Sequence, residues 1–60
     1  MCEANAYLEK EGRQELIMEG VYIFRPENGR YLLENIFGEQ KLVTARLERI
    51  SLMEHKIIFR

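Results

Sequence analysis

The stretch Val21-Tyr22-Ile23-Phe24-Arg25-Pro26-Glu27-Asn28-Gly29-Arg30-Tyr31-Leu32-Leu33-Glu34-Asn35-Ile36 decides the fold. Residues 21–25 are rich in β-branched and aromatic side chains, which suit a pleated, half-buried surface. Asn28-Gly29 between two apolar runs is the strongest short hairpin signal a sequence offers, because both residues tolerate the positive φ of a tight turn. Residues 30–36 are therefore expected to pair antiparallel with residues 21–25. The pattern continues outward from this hairpin. Cys2, Ala4, Ala6 and Leu8 alternate with Glu3, Asn5, Tyr7 and Glu9, as in a half-buried first strand. Charged residues 9–13 read as a turn, residues 15–18 as a second short strand, and Glu19-Gly20 as its end.

Residues 40–52 carry two readings. Val43, Leu47 and Ile50 fall at helical spacing, yet Ala45 and Leu47 alternate with Arg46 and Glu48, and Ile50 and Leu52 with Arg49 and Ser51. A single phase change between Leu47 and Ile50 reconciles the alternation with strands, since a β-bulge inserts one residue. Glu54-His55 makes a turn, and residues 56–60 form the last strand, with Ile57 and Phe59 on one side and Ile58 on the other. About six short strands without a crossover helix predict an all-β fold, a small antiparallel β-barrel.

Sixty residues, 47% hydrophobic and 32% charged, make a single folded domain over residues 1–60. A chain of this size buries only roughly 60% of its unfolded surface, so the core is thin and a homodimer is the expected remedy. Nine basic and ten acidic residues give a net charge of −1, without the basic footprint that a phosphate backbone requires. No apolar run approaches the roughly twenty residues of a membrane span, and the N-terminus lacks a secretory pattern, so a cytoplasmic protein is expected.

The chemistry of catalysis has little to work with. There is no glycine-rich phosphate loop, no paired histidine motif and no second cysteine, and Ser51 is the only serine. An enzyme is not expected. The ten acids are all Glu, mostly beside Lys or Arg, as on a solvated surface. Cys2 stands out, because a chain end is a poor place to hide a structural thiol. It offers a soft thiolate within chelating distance of a backbone amide nitrogen, such as that of Glu3, or of the terminal amine if Met1 is removed. Such S,N chelation suits square-planar Ni(II) or Cu(II), and two copies of Cys2 would complete two sulfurs and two nitrogens. Packing as a small apolar residue at the start of the first strand is the competing reading. His55 is the only histidine and sits on a charged turn, where a surface role competes with metal assistance. Met1, Met18 and Met53 offer thioethers but suit core filling. Tyr7, Tyr22, Tyr31, Phe24, Phe37 and Phe59 either form the core or present a base-stacking sheet, so an RNA-binding or protein-interaction module is the alternative function.

The chain resembles the CooT family of small nickel-binding proteins, which assist nickel insertion into carbon monoxide dehydrogenase. The resemblance is carried by Met1-Cys2, Ala4 to Leu8, Glu15-Leu16-Ile17-Met18-Glu19, Asn28-Gly29 and Ile36-Phe37-Gly38-Glu39. It continues through Arg46-Leu47, Ile50, Leu52 and His55-Lys56-Ile57-Ile58. It implies a homodimer in which Cys2 is the principal nickel ligand at the dimer interface, and a nickel enzyme or another maturation protein as partner. The Met-Cys start is also similar to the HypC maturation factors of nickel–iron hydrogenases, but the proline that usually follows their cysteine is missing here.

Overall fold

The computed structural model describes residues 3–60; Met1 and Cys2 lie outside the described residues. Among the described residues six strands, and no helix, follow one another: β1 Ala4–Lys10, β2 Arg13–Glu27, β3 Arg30–Asn35, β4 Gln40–Val43, β5 Leu47–Ser51 and β6 Lys56–Phe59. They form one sheet in the order β4-β3-β2-β1-β6-β5.

The β2–β3 hairpin closes at the expected turn. Glu27 pairs with Arg30, and Asn28 and Gly29 adopt φ of 51° and 77°, the double positive φ of a two-residue hairpin. The two short strands expected at residues 15–18 and 21–25 are instead one strand of 15 residues. Glu19-Gly20 does not turn the chain back. Between the pairs Ala6↔Met18 and Ala4↔Val21, β2 carries one more residue than β1, so Glu19-Gly20 forms a bulge and bends the strand. Before the bend β2 pairs with β1, and beyond it with β3. Residues 40–52 form no helix but the strands β4 and β5 with residues 44–46 between them, and the anticipated phase change is a register shift between Leu47 and Arg49 against β6.

Two expectations of the antiparallel barrel are corrected. β1 and β6 run parallel, with Asn5 opposite Lys56 and Leu8 opposite Phe59. The sheet is also not closed, because β4 and β5 occupy opposite edges and no ladder joins them. Residues 44–46 nevertheless carry the chain from one edge to the other. Four residue steps from Val43 to Leu47 reach at most about 14 Å, so the sheet must curl until its edges approach. The curl gathers one core from Ala6, Met18, Val21, Leu33, Val43, Ile57 and Phe59. Phe59 of β6 reaches across to Phe24 of β2 and Tyr31 of β3, with ring centroids 6.2 and 5.6 Å away. Ile57 and Phe59 share that core and Ile58, also buried, lies outside it, as the alternation requires.

Candidate functional site

Glu3 enters β1 at a junction of four segments. Asn5 donates its backbone N–H to the carbonyl of His55 (2.9 Å), which ties the start of β1 to the turn between β5 and β6. Asn5 Oδ1 accepts the backbone N–H of Gly20 (3.1 Å), tying the same stretch to the β2 bulge. The bulge holds the β3–β4 loop in turn, because the Gly20 carbonyl accepts the N–H of Ile36 (2.9 Å). Gly20 has a φ of 69°, and a Cβ there would lie 3.0 Å from Ile36 Cγ1, so only glycine fits both the backbone and the contact.

Three clefts open around this junction, and Glu3 lines all of them. The largest, about 390 Å³, is mostly apolar, with Val21, Tyr22, Phe24, Ile50, Leu52 and Ile57 on its walls and Ser51 and His55 at polar positions. A second of about 290 Å³ is polar and is lined by Glu3, Asn5, Glu54 and His55. A third of about 210 Å³ runs between Glu3, Asn5, Glu19 and Gly20 on one side and Ile36 and Phe37 on the other.

The candidate residues of the sequence divide accordingly. Cys2 lies outside the described residues, but its neighbour Glu3 is exposed and shares two clefts with His55, two residues the sequence treats separately. His55 is exposed and holds a φ of 57°, as its turn demands. Met18 is core, whereas Met53 is exposed on the β5–β6 turn. Among the described residues no three His, Cys, Asp or Glu side chains gather into a metal cage.

The aromatic side chains are largely committed to packing. Phe24 and Tyr31 stack at 5.2 Å and both contact Phe59, while the Lys56 ammonium lies 5.4 Å above the Tyr7 ring. Tyr22 and Phe37 remain exposed. Two exposed rings without a basic surround are a poor base-stacking platform.

The residues that sequence reasoning passed over are Asn5, Gly20 and Asn35, which mount the junction. Asn35 is only 2% exposed. Its Oδ1 accepts the N–H groups of Phe37 (3.1 Å) and Glu39 (2.9 Å), and its Nδ2 donates to Glu39 Oε1 (2.6 Å). The signal available was an Asn that ends a strand with a Gly three residues on, a turn pattern that its short amide side chain stabilises.

The described residues form an open six-stranded sheet with clefts gathered around the start of β1, the architecture of a small binding domain. The comparisons make the class specific. The family described as CO dehydrogenase accessory protein CooT matches residues 1–60. A crystal structure from Carboxydothermus hydrogenoformans, described as a candidate CooT, superposes with a TM-score of 0.91 at 38% identity. That match covers 97% of this chain and 94% of the other. No curated protein matches. The chain belongs to the CooT family, an accessory-protein family and not an enzyme family. Among the described residues no helix is long and apolar enough to cross a membrane.

Proposed function

We propose that this protein is a cytoplasmic nickel-binding accessory protein that serves the maturation of a nickel enzyme such as carbon monoxide dehydrogenase. One Ni(II) is held per homodimer by the Cys2 thiolates of both chains, with the backbone nitrogen of Glu3 in each as the further donor. The observation that carries this reading is the position of Glu3. The residue bonded directly to Cys2 lines every cleft of the junction, in a chain that belongs to a CO dehydrogenase accessory family.

The requirement for two chains follows from the donor count. A single chain has one cysteine, and its described residues form no metal cage, so one copy supplies half of a four-donor set. Two thiolates and two nitrogens match the preference of Ni(II) for a square-planar field, whereas Zn(II) favours a tetrahedron and gains nothing from planarity. Loading requires deprotonated thiols, so binding releases protons and weakens as pH falls. Cu(II) binds such a set more tightly still, and discrimination against it rests on metal availability. Release to a client is then ligand exchange beside the exposed Glu3, with no covalent bond of the protein made or broken. The acidic surround of Glu3 and Glu19 and the packed aromatics favour this role over RNA binding.

The test is a nickel titration of the wild type beside the Cys2→Ser variant. Tight binding by the wild type and its loss in the variant, with circular dichroism unchanged, is the expected result. Equal affinity in the two proteins would transfer the function to the protein-interaction alternative.

A further inference from the structure

Phe37 is 71% exposed, although a ring of that size is costly to leave in water. The loop that carries it is not loosely held. Asn35 spends both side-chain polar atoms on it, bonding the N–H groups of Phe37 and Glu39 and the Glu39 carboxylate. The backbone of Asn35 closes it further, donating to the Glu39 carbonyl (3.0 Å) and accepting from Gly38 N–H (3.1 Å). Ile36, also exposed, rests on Gly20 and donates to its carbonyl. The Phe37 backbone is thus fixed before any partner arrives, so docking there would pay little ordering entropy. A few residues, aromatics prominent among them, carry most of the binding energy at protein interfaces.

The surround identifies the chemistry of the partner. Glu3 and Glu19 line the cleft beside Ile36 and Phe37, and no Lys or Arg lines it. We infer that the Ile36-Phe37 loop is the docking anchor for the enzyme that receives the metal, inserting Phe37 into an apolar pocket rimmed by basic side chains. The inference rests on the accessory role proposed above and adds the surface that performs it. Glu3 lies in the same cleft as the loop, so a client seated on Phe37 is held against the chain end that bears Cys2. Handover is then intramolecular within the complex. The acidic rim draws the basic one and contributes to on-rate and salt dependence, while the ring contributes residence time.

The probe is purified, nickel-free carbon monoxide dehydrogenase passed over the immobilised full-length chain at low and moderate salt. Phe37→Ser should weaken binding at least about ten-fold, as loss of an anchor does, while nickel stoichiometry, oligomeric mass and circular dichroism stay at wild-type values. Glu19→Lys should weaken binding at low salt and flatten its salt dependence. Unchanged affinity of Phe37→Ser for the enzyme overturns the inference. So does absence of wild-type binding, or a change in oligomeric mass caused by Phe37→Ser, which would make the loop a contact between copies. Nickel titration of the same samples separates the two readings: docking can fail while Cys2-dependent nickel binding stands, and the nickel-carrying role fails if that binding does.

Discussion

Replacing Asn35 with Asp changes one NH2 group for an oxygen at the most constrained point of the junction. Asp keeps the acceptor for the Phe37 and Glu39 amides, but it loses the donor that reaches Glu39 Oε1 at 2.6 Å and sets a second carboxylate against it. A hydrogen bond to a charged group contributes about 1.5–3 kcal/mol. Two charges 4 Å apart repel by about 1 kcal/mol in water and about 4 kcal/mol at an effective dielectric of 20, and the exposed Glu39 side chain relieves most of that by turning into solvent. Stronger bonds from the two amides to a charged acceptor offset a part. The net cost is about 2–3 kcal/mol, against a total stability of roughly 3–9 kcal/mol for 60 residues. Urea unfolding followed by circular dichroism at pH 7 measures the gap to wild type. A variant within about 0.5 kcal/mol of wild type, the range of an ordinary surface change, would refute the reasoning.

Gly20→Ala and Gly29→Ala separate backbone strain from close approach. Both positions have positive φ, 69° and 77°, but an added Cβ meets Ile36 only at Gly20. Gly29→Ala should cost about 1–2 kcal/mol for its backbone, and Gly20→Ala about 1 kcal/mol more for displacing Ile36 from its rotamer; equal urea midpoints would contradict the contact. Phe59→Ala removes the ring that joins β6 to Phe24 and Tyr31. A loss of about 3–5 kcal/mol is expected from such a truncation, so the thermal midpoint should fall by at least about 12 °C, and a cooperative transition near the wild-type temperature would contradict that core. Sedimentation of the wild type should report twice the 7.2 kDa of one chain, and a single-chain mass with and without nickel would remove the shared site.

The hairpin was legible because its evidence is local: Asn28-Gly29 states the turn, and the apolar runs on either side state the strands. The Leu47–Arg49 bulge was legible for the same reason, as a slip in an alternating pattern. Glu19-Gly20 was misread because glycine at positive φ serves turns and bulges alike. Which one forms depends on whether the chain beyond it finds a new partner, as β2 does in β3. The parallel β1–β6 pairing left no local trace, since strand order is set by which edges the curled core brings together, and here three residues between β4 and β5 span the opening. Of the candidate site, Glu3 and His55 were visible as residues but not as neighbours. A backbone hydrogen bond from Asn5 to His55 joins them across fifty residues of sequence, and no side-chain pattern encodes it.

Two copies of one N-terminal thiol are proposed to hold the metal between them. Saturating the full-length protein with Ni(II) while recording near-ultraviolet absorption tests this arrangement most directly. Thiolate-to-metal charge-transfer bands from a low-spin ion should grow to an end point of one nickel per two chains. An end point of one nickel per chain, or saturation without any charge-transfer band, would contradict it.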